Sequence, residues 1–439
     1  MIGKQDRQMQ MIILDIDSMI PQDHLLRQIE NCVNFDFIYE KAKPYYSNVG
    51  RKSIDPVVMI KRLLIGYLYG IKSERRLEEV SLSLVYRWFC DIDLAQRVPD
   101  HSTFSQNRKR RFGDNSVFRE VFNAIVLQCI KRNLVSGDML VADGSFLPAN
   151  ISVQSSMEVI KTVQQSSIKY LNELEKEMSE LPGYQPPEPR EIQKRTLQSR
   201  TDPDCGYINQ KNKKGLGYLT EMTVDTSHGI ITGVDCYPAN HRESDIILKH
   251  IKRQQEDLSL TINRLALDGG YDVGAVHRGL ELLGIDGYTA IRVYQNNALR
   301  KGFQYDLEKD CFICEEGKEL LFKRLVFKKS GQNYYRLYVL PRKECSGCPR
   351  MSICEIDQGS IRISASGNYP AFHRNKLKYQ TPEYYSAMRL RKIWSEGMFS
   401  VLKREHNLKR IHKRGIHRAT EECLLSVTAL NLKRMVKAV

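Results

Sequence analysis

Three carboxylates in this sequence stand where they could hold metal ions. Asp143 closes the apolar run DMLVAD (138–143), and Asp268 closes NRLALD (263–268). Short apolar runs of this kind read as buried strands, and in α/β sheets ligands collect beyond the carboxyl ends of strands. Gly144, Gly269 and Gly270 follow the two aspartates; lacking a Cβ, they let another backbone or a phosphate come close. Taken singly, an aspartate at a strand end more often serves turn chemistry. Glu396 changes the weighing. It lies in RLRKIWSEGMFSVLK (389–403), where Arg389, Lys392, Glu396 and Lys403 fall at helical spacing on one face, with Trp394, Met398 and Val401 on the other. A lone glutamate among cations would be a weak surface ion pair. Two strand-end aspartates, a glutamate and neighbouring Lys and Arg are instead what two-metal phosphoryl transfer requires. Hard Mg²⁺ ions take oxygen ligands, and a pair of them stabilises both the attacking and the leaving oxygen. Asp225 and Asp272 are close to these motifs and read as structural.

A second constellation is sulfur. Cys311-x₂-Cys314 and Cys345-x₂-Cys348 make a CxxC…CxxC pair, and Cys354 follows six residues on. Zn²⁺ takes four thiolates in a tetrahedron, and each knuckle supplies two. Five cysteines therefore compete for four positions. A closed site would be structural, holding a small β unit with too little core to fold alone; partly buried thiols without metal are the plainer alternative.

Charge points to a polyanion. Lys and Arg outnumber Asp and Glu by 67 to 52, a net charge of +15, and such a surface gains by releasing counterions from nucleic acid. Residues 371–439 hold 16 Lys+Arg against 5 Asp+Glu. Within them the segment 403–418 (Lys403, Arg404, Lys409, Arg410, Lys413, Arg414, Arg418) is expected to track phosphates without reading sequence. No Walker motif is present, which argues against ATP chemistry. The start MIGKQDRQMQ lacks an apolar core, and the early stretch 57–71 is broken by Lys61 and Arg62. No membrane partner is expected, and the chain is expected in the cytoplasm with its eleven cysteines reduced.

The elements that must position these residues follow from the patterning. Asp55-Pro56 is a helix start, followed by apolar residues at Val57, Ile60, Leu64, Leu68 and Ile71. Further helices are expected from Ser73 through 77–89, from Ser102 to Gly113 with the run Arg108 to Arg111, and over 116–135. After Gly137 the texture becomes strand-like: 138–143, the pair 217–225 and 229–237, then 263–268, a helix over 273–284 and a strand over 286–291. Residues 155–180 read as a polar helix and 181–190 as a proline-rich loop. Short Tyr- and Phe-rich runs over 298–368 suggest a β insertion. A long helix from Pro382 to His406 and a closing helix over 419–437 complete an α/β chain.

In combination these motifs resemble bacterial insertion-sequence transposases of the DDE type, the branch with an InsH-like helical N-terminal domain. DPVVMIKRLLIGYLYGIKSERRLEEV (55–80), YRWFCDIDL (86–94) and VPDHSTFSQNRKR (98–110) resemble that domain. ADGSFLPAN (142–150), DGGYDVG (268–274) and WSEGMFSVLKREHNLKRIHKRGIHRA (394–419), closing with NLKRM (431–435), resemble the three catalytic blocks. The resemblance implies a helical DNA-binding domain (1–135) and an RNase H-like catalytic core. The core would comprise 136–297, carrying a polar helical and Pro-rich insertion (153–200), and 369–439, with the Cys-rich β insertion (298–368) between them. It implies that Asp143, Asp268 and Glu396 bind two Mg²⁺ (or Mn²⁺) ions, and that Lys403 contacts DNA near the cleaved phosphate. The arginine usual one turn before the glutamate is displaced, leaving Arg391 or Lys392 for that role. Among the cysteines it favours Cys314, Cys345, Cys348 and Cys354 for Zn²⁺. Further DNA contacts are expected from Arg108, Arg110, Arg404, Lys409, Arg410 and Arg414, with Gln106 and Asn107 near base edges. The implied partners are element ends and target DNA, bound by a dimer in the bacterial nucleoid. Rival readings are a nuclease on the same fold that cuts without joining, a domesticated DNA-binding protein without catalysis, and a cytosolic zinc-binding adaptor.

Overall fold

A computed structural model of the chain describes residues 15–47, 49–50, 53–71, 73–113, 116–152, 154, 156–164, 191–210, 213–291, 302–328, 333–351, 354, 356–357 and 359–438. The expected loop 181–190 lies outside them. Seven helices come first: α1 Ile16–Met19, α2 Leu25–Cys32, α3 Phe37–Ala42, α4 Pro56–Leu68, α5 Leu84–Phe89, α6 His101–Arg111 and α7 Ser116–Lys131. Asp55 caps α4, its side chain accepting from the amides of Val57 and Val58, with Pro56 at the first helical position. Asp100, rather than Ser102, caps α6. The helix expected over 77–89 is broken. Residues Arg76–Ser81 form a 3-10 helix, and Ser83 then caps α5 by accepting from Tyr86 N; a serine side chain competes for backbone donors and so favours a fresh start over continuation.

The central sheet follows. Its strands are β1 Met139–Pro148, β4 Gly206–Gln210, β5 Lys213–Asp225, β6 Ile231–Pro238, β7 Arg264–Leu267 and β8 Asp286–Thr289, while β2 Ser156–Gln164 and β3 Glu191–Ser199 form a separate two-stranded ribbon. Helix α8, Glu243–Leu258, precedes β7, and α9, Gly274–Leu282, connects β7 to β8. β5 lies between β6 and β1 with antiparallel pairing on both sides, while β1, β7 and β8 run parallel. This order, β6–β5–β1–β7–β8, is the RNase H-like arrangement. Two expectations need correction. Residues 156–164 are a strand, not part of a polar helix: Val159, Ile160, Thr162 and Val163 are β-branched and suit the ribbon. And β1 does not end at Asp143 but runs on to Pro148, paired with β5 along its length.

A second antiparallel sheet contains β9 Gln304–Asp306, β10 Cys311–Ile313, β11 Glu319–Lys328, β12 Asn333–Pro341, β13 Ile356–Asp357 and β14 Ser360–Ser366. It has its own buried cluster, centred on Phe312, Leu320, Tyr338 and Tyr369. The chain closes with α10 Tyr369–Leu377, α11 Pro382–Glu405 and α12 Ile416–Ala438. α12 packs on α2, α4, α7 and β6, so the N-terminal helices and the central sheet share one continuous core. No helix among the described residues is long and apolar enough to cross a membrane.

Candidate active site

The parallel register pairs Val141 with Ala266, which sets Asp143 and Asp268 at the same level of neighbouring strands. The backbone holds each carboxylate. Asp143 accepts from Gly144 N at 2.9 Å, and Asp268 accepts from Gly270 N at 2.6 Å, capping a 3-10 turn over Gly269–Tyr271. Burial, and then the charge of Asp268, push the Asp143 carboxyl up to about 6, against the pull of Arg391 and Lys213.

Thr381 caps α11 by accepting from Tyr384 N, and the helix buries Tyr384, Ala387, Ser395, Met398, Phe399 and Leu402. Lys403 Nζ donates to Ser145 Oγ at 2.8 Å. Side chains alternate along a strand, so Ser145 shares the face of Asp143, and α11 lies over that face. Glu396, two turns before Lys403 on the same side of the helix, is exposed. The structure brings Asp143 and Asp268 together but does not close Glu396 onto them; among the described residues no three His, Cys, Asp or Glu side chains converge tightly enough to hold a metal. Of the two cations preceding Glu396, Arg391 is the one whose charge reaches Asp143, whereas Lys392 is exposed.

Sequence reasoning missed two acids behind the pair. Glu243 opens α8, a helix whose spacing of Ile246, Ile247, Ile251 and Leu258 would have revealed it. Its carboxylate occupies the space that Gly144 and Gly270 leave open: a Cβ at Gly144 would stand 2.6 Å from Glu243 Oε1, and one at Gly270 3.0 Å from Glu243 Oε2. Lys213 pairs with Glu243 at 3.8 Å. Glu221, paired in register with Gly144, is fully buried; Tyr271 Oη donates to its Oε1 at 2.6 Å, and its Oε2 has no partner. Burial holds the Glu221 carboxyl well above its usual range. Glu221 and Glu243 lie on the Gly144 side of β1 and do not converge with the pair; Asp143 and Asp268 themselves offer only oxygen and repel each other. A hard dication suits such a donor set.

The basic residues divide sharply. Arg110, Arg404, Lys409, Arg410 and Arg414 are exposed. Arg108 is 4% exposed and donates to Glu421 at 2.6 Å and Glu74 at 2.7 Å, so the expectation that it meets phosphate is corrected. Asn107 is likewise occupied, accepting from Ser53 and Arg111. Lys413 and Arg418 pair with Glu421 rather than facing outward. Asp225 is structural as read: it accepts from the amides of Ser136, Gly137 and Ser227.

In the second sheet, Cys345 is buried with Cys314, Cys348 and Cys354 packed against its cluster. Burial raises the Cys345 thiol, and so do Cys348, Cys314 and Cys354. Lys318 N donates to Cys314 Sγ at 3.3 Å. Gly317 and Gly347 adopt positive φ, as tight knuckles after Cys314 and within Cys345–Cys348 require. Cys311 is fully buried in β10, where Glu319, Asp306, Lys309 and Asp310 are its charged neighbours.

Residues 14–110 match the family described as Transposase domain (DUF772), and residues 313–436 match the Transposase DDE domain. No curated protein matches the chain. Among solved structures, a piggyBac transposase synaptic complex with hairpin DNA superposes with a TM-score of 0.40 at 11% identity, covering 94% of this chain and 75% of that one. A Mos1 mariner paired end complex with Mn gives 0.18 at 10% identity, covering 55% and 61%. With a transposase domain toward one end and a transposase DDE domain toward the other, on an RNase H-like sheet, the chain belongs to the DDE transposases.

Proposed function

We propose that this enzyme cuts DNA at the ends of a bacterial insertion sequence and joins the freed 3′-OH to target DNA, with Asp143, Asp268 and Glu396 holding two Mg²⁺ (or Mn²⁺) ions. The observation that carries this is the facing pair Asp143 and Asp268, with α11 laid over the same side of β1 through the Lys403–Ser145 contact. When bound, the ions activate the attacking hydroxyl and neutralise charge on the leaving oxygen. The chain's own residues do the rest. Backbone amides orient both aspartates, α11 presents Glu396 on the face of Lys403, and Lys403 and Arg391 place positive charge where the scissile phosphate lies. Arg110 on α6, Arg404 in the last turn of α11, and Lys409, Arg410 and Arg414 beyond it hold flanking phosphates. The helices within 1–135 read the element end, and two copies act on paired ends in the nucleoid.

The test is incubation of the purified chain with the DNA flanking its own gene, Mg²⁺ and a supercoiled target. Joined products are expected. Nicked or cut ends with no joining, at any metal concentration, would make it a nuclease instead.

We also assign a structural Zn²⁺ to Cys314, Cys345, Cys348 and Cys354, supported by their clustering around Cys345 and by the separate burial of Cys311. Metal analysis of protein purified without chelator should find about one zinc per chain, lost in Cys348→Ser and retained in Cys311→Ser. A folded wild type without zinc contradicts the site.

A further inference from the structure

The loop between α11 and α12 exposes Lys409, Arg410 and Arg414, and arginines are long, flexible side chains. Phosphate binding is weak if each must be frozen from many rotamers at the moment of contact. Most bonds that fix this loop hold its backbone. Ile411 N donates to Pro148 O at 3.0 Å, His412 N and Lys413 N donate to Glu422, and Gly415 N and Ile416 N donate to Asp202 and Asp204. One residue does something different.

Asn150 stands two residues past β1, seven after Asp143. Its Nδ2 donates to His412 O at 2.7 Å, its Oδ1 accepts from Arg410 at 3.0 Å, and its backbone carbonyl accepts from Arg414 Nε at 3.2 Å. A carboxamide can donate and accept at once, which neither Asp nor Ala can do here. A single side chain thus ties the loop backbone to one exposed guanidinium, and its own carbonyl holds a second. All three bonds hang from the strand that carries Asp143.

We propose that Asn150 is a positioning residue for DNA, holding Arg410 and Arg414 in their phosphate-binding directions and in fixed register with Asp143. The inference rests on the DNA-binding reading above. It differs from a phosphate contact in a measurable way. Asn150→Ala leaves both arginines present and keeps the backbone carbonyl that holds Arg414, so the counterions released on binding are unchanged and only the ordering of Arg410 and of the loop backbone at His412 is lost. Affinity for element-end DNA should fall about tenfold at every salt concentration, with the same slope of log K against log salt. Arg410→Ala with Arg414→Ala should instead flatten the slope by about one unit per lost contact. Adding Asn150→Ala to that double variant should then cost much less than it does in the wild type, because Arg410 is gone and only the tie to the His412 carbonyl remains to be lost.

The experiment is a salt titration of DNA binding by full-length wild type, Asn150→Ala, the double arginine variant and the triple variant, with melting curves for each. Asn150→Ser, which keeps a hydroxyl near the His412 carbonyl, carries the test if the alanine variant melts early. Unchanged affinity in the Asn150 variants, or an additive loss in the triple variant, overturns the inference. A wild type that binds DNA with no salt dependence defeats the DNA-binding reading itself, which the variants alone cannot do.

Discussion

Asp143→Ala, Asp268→Ala and Glu396→Gln should each lower DNA cleavage by more than about a thousandfold while leaving DNA affinity nearly unchanged. On the proposed assignment each substitution removes an oxygen ligand without touching a phosphate contact, and a bound dication contributes several kcal/mol to the transition state, tenfold in rate for every ~1.4 kcal/mol. Gel-shift affinity and cleavage rate, measured on the same preparations, separate the two effects. The Glu396 variant is the most informative of the three. Its side chain is exposed, whereas Glu243 already touches the glycines beside both aspartates. Near-normal cleavage by Glu396→Gln, with none by Glu243→Gln, would transfer the third ligand to α8.

A second large effect is expected on stability. Arg108 on α6 is buried between Glu74 and Glu421, and Glu421 also takes Lys413 from the basic loop at 2.9 Å. This cluster joins the N-terminal helices, the last helix and the basic loop between α11 and α12. Removing one partner of a buried pair strands the other charge away from water, which costs about 3–5 kcal/mol. Glu421→Ala should therefore lower the urea midpoint sharply, while Arg108→Met combined with Glu421→Met should recover much of the loss, because the two most buried charges go together and Glu74 and Lys413, 3.4 Å apart, keep each other as partners. A Glu421→Ala variant with an unchanged midpoint would show that the cluster is solvated and contributes little.

Arg108 also shows where sequence reading stops. A run of four cations at a helix end looks like a phosphate track, yet only tertiary packing decides that Arg108 meets Glu421, 313 residues on. β1 and β7 were legible because MLVA and RLAL hold short apolar runs, and Asp143 and Asp268 were legible because they follow those runs directly. That β1 continues past Asp143 was not, since Gly144 and Ser145 look like a turn until β5 is seen pairing with them. The ribbon β2–β3 escaped because its Glu, Lys and Gln content mimics a polar helix and its partner lies beyond a long intervening segment. Glu221 and Glu243 escaped for a different reason: neither sits in a motif, and only the fold brings them behind Asp143 and Asp268.

The most direct measurement of the central claim is iron-mediated scission. With Fe²⁺ replacing Mg²⁺ in the DNA-bound enzyme, ascorbate and peroxide generate radicals that cut the polypeptide beside the metal, and mass spectrometry maps the cuts. Scission clustered at residues 143, 268 and 396, and absent from Asp143→Ala, is the predicted result. Cuts at 143, 268 and 243 that spare 396 would contradict the assignment of Glu396.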